Sequence, residues 1–427
     1  MRARQRALVL LAVAAVVAGC GGAIERVAGG EGGVPGPLDG SVAEDGPPGG
    51  LDGGRPDAVA PADGTVGEDT LPPPDGVALT DGGAPDDGAA AADGPPAPAA
   101  PRLIVRFDNT DPAAPLFAWS GSAIAARFSG TAITLRLRDP AGAGDPNFYT
   151  VVVDGTERII AVSAASESYV LADGLAAGDH EVLVWRNTEW FGGETQFVGF
   201  DLPGGGQYLP TPAPDRRVEF VGDSITCGYG DLGPDQSCPF SKDTEDHYVS
   251  YAGLTARALG ADQTTICVSG IGIFQNYGGD QTDTMPGRYV RTMPNRASPA
   301  WDFSTWIPQA VVINLGTNDW YSGTLAADSF QGPYRDFLAF VRGRYPEAAI
   351  LCAVGPMLAG SQYSTTRDWL TELIAERAAA GDTRVSLVEF GTQDGSLGFG
   401  CDWHPSVATH EQMAGHLTDV LRQTLGW

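Results

Sequence analysis

The chain has 427 residues, enough for two or three domains, and a formal net charge of −27. Nucleic acid is a poor partner for such a chain, because its phosphates are bound through lysine and arginine. About half of the acidic excess lies in residues 21–100, which contain fifteen acidic side chains and two basic ones, Arg26 and Arg55.

The start of the chain is similar to a bacterial lipoprotein signal. Three arginines precede an apolar stretch, residues 7–18, which is too short to cross a bilayer as a stable helix. Small residues then lead to Cys20, as in a lipobox whose cysteine becomes acylated. An ordinary signal peptide with an incidental cysteine is the alternative. We expect a signal peptide over 1–19 and an extracytoplasmic protein, lipid-anchored at Cys20 to a bacterial membrane. The outer membrane or cell surface is favoured.

Residues 20–100 consist mainly of Gly, Pro, Ala and Asp and contain almost no aromatic side chains. Such a segment cannot bury enough apolar surface to offset the entropy lost on ordering. Its Asp-Gly pairs lack the regular spacing of calcium loops. We therefore predict a disordered tether.

Residues 101–205 have the pattern of a β-sandwich, jelly-roll-like in character. Turn residues separate five alternating or β-branched runs: 103–107, 123–128, 133–137, 149–153 and 181–185.

Residues 216–427 alternate between strand and helix patterns, which predicts a three-layer α/β/α domain with a parallel sheet. The predicted strands are 218–222, 264–268, 310–315, 349–354 and 385–390. The predicted helices are 243–259, 328–344, 365–380 and 406–425. Ligands bind beyond the C-terminal ends of such strands, where Ser224, Gly270 and Asn318 fall.

Ser224 is the candidate nucleophile, because it follows a predicted strand in the sequence Gly222-Asp223-Ser224. A serine at this turn can present its hydroxyl at the sheet edge, and a neighbouring base would activate it. The alternative role is that of a helix cap. We expect Asp223 to brace the turn by hydrogen bonding.

His404 is the candidate base, since it lies in a loop before a helix and beside an acid, Asp402. Asp402 would accept the Nδ1 proton of His404 and fix its tautomer, although a backbone carbonyl can do the same. We expect His410 and His416 to face solvent or partners and His247 to lie in the first helix of the domain.

A serine nucleophile with a histidine base indicates ester hydrolysis. Such a reaction also needs hydrogen-bond donors for the oxyanion. The side-chain amide of Asn318 and the backbone N–H of Ser224 are candidates. Gly270 is a third, with Gly272 as second choice, because glycine allows close approach of the backbone.

The chain has six cysteines. Cys227 and Cys238 bracket one loop and are the preferred disulfide pair. Cys267 and Cys352 lie in apolar runs and are expected to be buried thiols. No CxxC pair occurs and the histidines do not cluster with cysteines, so we predict no metal site.

These blocks resemble the SGNH (GDSL-type) hydrolases: Gly222-Asp223-Ser224, then Gly270, then Gly-Thr-Asn-Asp at 316–319, then His404. In many of those enzymes an acid stands three residues before the histidine. Here Cys401 occupies that position, whereas Asp402 stands two residues before.

This arrangement is similar to carbohydrate esterase family 2, whose members remove acetyl groups from plant polysaccharides such as xylan and carry a β-sandwich before the hydrolase domain. The resemblance covers residues 103–427. Its further motifs are 119–122, 153–155, 186–189, 269–272 with Asn276, and 402–406.

The resemblance implies an acetyl esterase that acts by double displacement on an acetylated polysaccharide, with no metal or organic cofactor. Trp403 and Trp320 adjoin candidate catalytic residues and are candidates to stack on a sugar ring, with core packing as the alternative. Two other functions stay open. One is a surface lipoprotein that binds glycan and has an inactive hydrolase domain, and the other is a general short-chain acyl esterase.

Overall fold

The computed structural model describes residues 98–427. The predicted signal peptide, Cys20 and nearly all of the predicted tether lie outside the described residues. Within residues 98–427, no helix combines the length and apolarity needed to cross a membrane.

The first part of the described chain is all-β, with eight antiparallel strands in one continuous sheet. Its strands are β1 (Arg102–Ile104), β2 (Leu116–Phe117), β3 (Ala123–Arg138), β4 (Asn147–Val153), β5 (Thr156–Val162), β6 (Ser168–Arg186), β7 (Thr195–Asp201) and β8 (Gln207–Leu209). The predicted runs 123–128 and 133–137 are one strand, β3. The register with β6 shifts between Gly130 and Ala132, which lets both long strands bend around one core.

The core of this sandwich is built from alternating inward residues. Ile133, Leu135 and Leu137 of β3 are fully buried and pack with Tyr149 and Val151 of β4. A period of two places such side chains on one face of a strand. The alternation seen in the sequence therefore marks the buried face.

The second part contains the α/β elements. Its strands are β9 (Arg217–Gly222), β10 (Asp262–Cys267), β11 (Arg291–Met293), β12 (Arg296–Ala300), β13 (Ala310–Asn314), β14 (Ala349–Val354) and β15 (Val385–Glu389). Its helices are α1 (Ser224–Cys227), α2 (Tyr251–Leu259), α3 (Met285–Tyr289), α4 (Ala327–Arg344), α5 (Gly360–Ala379) and α6 (Val407–Leu425).

Five strands form a parallel sheet in the order β10-β9-β13-β14-β15, covered on both faces. Helices α4 and α5 pack on one face, and α2 and α6 pack on the other. Every residue of the strand Ala310–Asn314 is buried, as its continuous apolar run requires. The predicted three-layer α/β/α fold is confirmed.

The predicted helix 243–259 is wrong in its first half. Two 3₁₀ turns occupy Lys242–Thr244 and His247–Val249, and α2 begins only at Tyr251. Ser250 caps α2 by accepting the N–H of Gly253, and Asp246 accepts the N–H of Tyr248 in the preceding turn. Because these side-chain hydrogen bonds start a new element at each cap, the segment forms separate short turns and a helix instead of the single predicted helix. The hairpin of β11 and β12 was not predicted.

Candidate active site

Ser224 is the first residue of α1, directly beyond the sheet. Strand β9 ends at Gly222, and Asp223 caps α1 by accepting the N–H of Ile225 at 3.1 Å. This is the bracing contact expected of Asp223. Ser224 is largely buried, with 6% of its surface exposed.

His404 lies beside Ser224, although 180 residues separate them in the chain. Its Nε2 is 2.8 Å from the Ser224 Oγ. Ser406 caps the following helix α6 by accepting the N–H of Thr409, so the histidine occupies the entry to that helix. The ring of Tyr229 packs on the imidazole, with centroids 4.3 Å apart. The strand-end serine and the C-terminal histidine therefore form a hydrogen-bonded dyad.

The orienting contact of His404 differs from the expected one. Its Nδ1 lies 3.2 Å from the carbonyl oxygen of Cys401 and 3.1 Å from that of Asp402. The carboxylate of Asp402 instead accepts hydrogen bonds from the Tyr229 hydroxyl and the Phe240 N–H. Backbone carbonyls thus do what was expected of the Asp402 side chain. The reason is that this side chain points away from the imidazole.

The predicted oxyanion donors come from three neighbouring strand ends. Gly270 follows β10 and has φ +78°, a conformation that favours glycine. Its N–H has no acceptor among residues 98–427. Asn318 follows β13, and its side-chain amide donates to the Ile271 carbonyl at 2.8 Å. The N–H of Gly272, the second choice, is already bonded to Asn276, which leaves Gly270 as the free donor.

Sequence reasoning gave no role to Asp319, yet this side chain fixes the loop that carries Gly270, residues 269–277 (the oxyanion loop). Its carboxylate accepts three backbone N–H groups, at 2.7–3.1 Å. The donors are Ile273, Phe274 and Gln275. A Cβ at Gly272 would come within 2.8 Å of the Asp319 carboxylate, so the tight packing requires glycine there. The acid at the end of the Gly-Thr-Asn-Asp block was the available signal.

Burial shifts the titration of two groups next to the nucleophile. Desolvation lowers the pKa of His404 to about 4, opposed by its contacts with the Cys401 and Asp402 carbonyls. Desolvation raises the pKa of the Asp223 carboxyl to about 7, opposed by the hydrogen bond from Ile225. The imidazole is therefore neutral at physiological pH, as a proton acceptor must be.

The two tryptophans predicted to contact sugar have different surroundings. Trp403 is 58% exposed and borders the site directly before His404. Trp320 is half-buried, stacks on Trp369 and donates to the Thr366 hydroxyl. It packs against the core of the α4 and α5 layer, which favours the alternative of core packing.

The disulfide prediction was wrong in its pairing. Cys227 bonds to Cys267, and Cys238 bonds to Cys401, while Cys352 is a buried thiol. Cys267 ends β10 in register with Gly222, the last residue of β9, so it lies close to the turn that bears Cys227. One bond thus ties the nucleophile turn to the oxyanion strand, and the other holds the loop before His404.

The remaining histidines do not join the dyad. His410 is fully buried in α6 and accepts the N–H of Tyr251, which contradicts the expectation that it faces solvent. His247 is also fully buried, and it lies in a 3₁₀ turn before α2. His416 is exposed. No group of three or more acidic, histidine or cysteine side chains in residues 98–427 is arranged to hold a metal ion.

Two family models match the described chain. Residues 220–412 match the GDSL-like lipase/acylhydrolase family, and residues 104–212 match the N-terminal region of carbohydrate esterase 2. The parallel sheet with its strand-end serine is thus that of a GDSL-type hydrolase.

The chain belongs to carbohydrate esterase family 2. A family two carbohydrate esterase from Clostridium thermocellum, solved in complex with cellohexaose, is 42% identical with a TM-score of 0.73. The match covers 77% of this chain and 99% of that one.

Two curated relatives extend the comparison. Cellulase/esterase CelE of Acetivibrio thermocellus is 43% identical over 75% of this chain, which spans 39% of the length of CelE. An acetylxylan esterase/glucomannan deacetylase of Cellvibrio japonicus is 26% identical, over 76% of this chain and 90% of that protein.

Proposed function

We propose that this protein is a serine esterase that removes acetyl groups from an acetylated polysaccharide, either xylan or another hemicellulose. The observation that carries the proposal is the 2.8 Å contact between the His404 Nε2 and the Ser224 Oγ at the ends of the parallel strands. A hydroxyl in contact with a neutral imidazole is the arrangement that nucleophilic acyl transfer requires.

The mechanism follows from the positions of the donors and acceptors. His404 accepts the proton of Ser224 as the hydroxyl attacks the acetyl carbonyl, and the Cys401 and Asp402 carbonyls stabilise the imidazolium that forms. In this reaction the developing oxyanion accepts hydrogen bonds from the N–H groups of Ser224 and Gly270, each contributing about 3 kcal/mol. The third donor is the Asn318 amide proton that is not bonded to Ile271, which has only a 3.5 Å contact with the Asp223 carboxylate.

His404 then protonates the departing sugar oxygen as its bond to the acetyl carbon breaks, which leaves an acetyl ester on Ser224. The imidazole next takes a proton from water, which attacks this ester, and the proton returns to the Ser224 oxygen as acetate leaves.

Exposed aromatic side chains support a sugar substrate. Trp403 is 58% exposed on the histidine side of the dyad, and Tyr277 is 71% exposed on the oxyanion side. The N–H of Tyr277 donates to the Gly270 carbonyl, so its ring is tied to the oxyanion loop. Aromatic rings present flat apolar faces to which sugar rings can bind. The curated names of the Cellvibrio relatives, acetylxylan esterase and glucomannan deacetylase, point to the same substrate class.

The decisive experiment measures acetate released from acetylated xylan and acetylated glucomannan by the full chain. We expect release by the wild type and a loss of about 10³-fold or more in the Ser224→Ala variant. Ser237→Ala, at an exposed serine in the loop after α1, is the matched control and should retain wild-type turnover.

The same assay separates the other two functions. A general short-chain esterase would hydrolyse 4-nitrophenyl acetate and leave the polysaccharides acetylated. A glycan-binding protein with an inactive hydrolase domain would hydrolyse neither while retaining affinity for the polysaccharide. Either result would overturn the proposal.

We also propose that the protein is held at the outer membrane or cell surface through acylation of Cys20. The support is the sequence before that cysteine, a positive start followed by a short apolar stretch and small residues. In the producing cell, Cys20→Ala should move the protein from the membrane fraction to the soluble fraction. Persistence of this variant in the membrane fraction would contradict the anchor.

A further inference from the structure

The sandwich sends one carboxylate into the oxyanion loop of the hydrolase domain. Glu189, three residues after β6, accepts the backbone N–H of Ser269 at 2.8 Å. Its second oxygen accepts the Ser269 hydroxyl. Ser269 directly precedes Gly270, whose free N–H is the candidate oxyanion donor. A side chain of one domain therefore holds the peptide next to the chemistry of the other.

The sandwich holds the Glu189 backbone rigidly. Arg186 is fully buried and donates to the carbonyls of Thr188, Glu189 and Gly193, at 2.8, 3.0 and 2.9 Å. A guanidinium with several fixed acceptors has little freedom to rotate. The sandwich therefore fixes the backbone from which the Glu189 side chain reaches Ser269.

The Glu189 carboxylate has a second buried acid for a neighbour. Glu245 accepts the Glu189 N–H at 3.1 Å, and both side chains are buried. Burial raises the pKa of both groups, and the charge of Glu189 raises that of Glu245 further. Both oxygens of Glu189 accept hydrogen bonds from Ser269, and a carboxylate accepts such bonds most strongly when it is ionised.

Carboxylates thus hold the oxyanion loop by hydrogen bonds on both sides of Gly270. Glu189 fixes Ser269 on one side of Gly270, and Asp319 fixes the N–H groups of residues 273–275 on the other. The carbonyl of Gly270 accepts the N–H of Tyr277 at 2.7 Å. These contacts fix the peptide between residues 268 and 269 and the peptide between residues 270 and 271, and the peptide that carries the Gly270 N–H lies between them. Its N–H stays free of any acceptor among the described residues.

We propose that Glu189 is a positioning residue for the oxyanion loop, so that the sandwich domain completes the esterase site. This inference rests on the proposed function of Ser224. Glu189 does not touch the substrate in this scheme. It acts through Ser269 by holding the Gly270 N–H at the position where negative charge develops. An oxyanion donor displaced by a fraction of an ångström still binds substrate but stabilises the transition state less well.

Glu189→Ala tests this role, with Glu194→Ala as the matched control. Glu194 is also a sandwich carboxylate that contacts the hydrolase domain, through Arg296 at 2.8 Å, but it has no contact with the oxyanion loop. With 4-nitrophenyl acetate we expect Glu189→Ala to lower kcat by about tenfold to a hundredfold with KM within about twofold. Glu194→Ala should leave both constants at wild-type values.

A second measurement separates positioning from a general loss of structure. Phenylboronic acid forms a tetrahedral anionic adduct with a serine hydroxyl, so its inhibition constant reports on the oxyanion donors. In Glu189→Ala the inhibition constant should rise by the same factor by which kcat falls. The affinity for a non-acetylated xylo-oligosaccharide should stay unchanged. Equal weakening of both affinities, or a folded variant with wild-type kcat, would overturn the proposal.

Two conservative variants cover the case in which Glu189→Ala does not fold. Glu189→Gln keeps one acceptor oxygen, and Ser269→Ala keeps the backbone donor but removes the hydroxyl, so each should show a smaller loss of kcat in the same direction. Wild-type kcat in both variants would count against positioning. A wild type that hydrolyses the aryl acetate but no acetylated polysaccharide refutes only the proposed substrate, since the aryl acetate still reports on Glu189.

Discussion

His404 shows how a histidine base can be held without a carboxylate. Two carbonyl oxygens, those of Cys401 and Asp402, lie within 3.2 Å of its Nδ1 and accept the proton that a triad acid would accept. A neutral carbonyl stabilises imidazolium less than an anion does. Burial therefore lowers the pKa of His404 to about 4 from an ordinary 6.5, because the two carbonyls oppose it only in part.

The pH dependence of kcat/KM should reflect that low pKa. Below its pKa the imidazole is protonated and cannot accept the Ser224 proton, so activity falls as pH decreases through the folded-state pKa. We expect a flat profile from neutral pH to about pH 5 and a fall with a midpoint near 4. A midpoint at or above 6.5 would contradict this environment for His404.

Asp402→Asn tests the assignment of the orienting role to the backbone. Asparagine tolerates the left-handed conformation of Asp402, φ 51°, so the substitution mainly removes the charge. We expect a loss of a few-fold in kcat/KM, against about 10³-fold for His404→Ala. The charge of Asp402 raises the pKa of His404, so the midpoint of the profile should also move to lower pH. An equal loss in the two variants would restore a larger role for the carboxylate.

The dyad could be predicted from the sequence, but the orientation of its histidine could not. Ser224 and His404 were placed by their positions at a strand end and before a helix. The spacing of Asp402 from His404 is the same whether its carboxylate or its carbonyl faces the imidazole. Which of the two groups faces the imidazole depends on the left-handed backbone conformation of Asp402 and Trp403, which no local sequence pattern predicts. The motif at 186–189 gave no role to Glu189, because its partner Ser269 is 80 residues away and in another domain.

At the scale of elements, the loop before His404 is a strained turn held by contacts from outside. Asp402 and Trp403 have φ values of 51° and 64°, which cost non-glycine residues about 1–3 kcal/mol each. The Cys401 N–H donates to the Gly230 carbonyl at 2.8 Å, and the side chain of Cys401 is bonded to Cys238. The loop after α1 therefore keeps the histidine loop in its conformation.

Removing the Cys238–Cys401 bond should affect both stability and turnover. We expect the double variant Cys238→Ser/Cys401→Ser to lose about 2–5 kcal/mol of unfolding free energy, because the bond closes a long loop. Its kcat should fall about tenfold, because the turn relaxes and His404 moves from Ser224. Denaturant unfolding and aryl acetate hydrolysis measure the two effects.

Cys352→Ala is the control, since it removes a buried thiol without breaking a disulfide. It should retain kcat. An unaltered kcat in the double variant as well would show that the backbone contacts alone hold the turn.

The order of the strands explains why the elements were predictable and the disulfides were not. A continuous apolar run such as 349–354 predicts a buried strand whatever the position of that strand in the sheet. Cys227 was paired with Cys238 because the two are close in sequence. Its actual partner, Cys267, is close only because β10 lies beside β9, and adjacency of strands is a property of the whole sheet.

At the scale of the molecule, one buried ion pair joins the two domains. Arg106 of the sandwich region and Glu219 of β9 are both fully buried, with the Nη2 and Oε2 atoms 3.7 Å apart. The guanidinium also donates to the carbonyls of Tyr289 and Arg291 and lies 5.1 Å from the ring centroid of Trp301. Tyr289 and Tyr345 donate their hydroxyl protons to Glu219. The interface between the two domains is thus held by an ion pair, hydrogen bonds and aromatic contacts.

This pair makes a whole-molecule prediction for stability. Arg106→Met should lower the unfolding free energy by about 3–5 kcal/mol, because it leaves the Glu219 carboxylate buried without its cation. Adding Glu219→Leu should restore part of that loss, since no unpaired charge then remains. Arg335→Met is the control. It breaks an ion pair with Glu376 at 2.6 Å, but the two side chains are 46% and 48% exposed, so about 1 kcal/mol or less is expected.

Denaturant unfolding followed by tryptophan fluorescence and by circular dichroism distinguishes the possible couplings. If the pair joins the domains into one cooperative unit, both signals change together in a single transition, and Arg106→Met shifts that transition without splitting it. Two separate transitions in the wild type would mean that the sandwich and the hydrolase domain unfold independently. Glu189 could then leave Ser269 while the parallel sheet stays folded, and loss of activity would precede loss of the sheet. A single transition instead makes activity and sheet structure disappear at the same denaturant concentration, because the residue that positions the oxyanion loop cannot separate from that loop until the whole molecule unfolds.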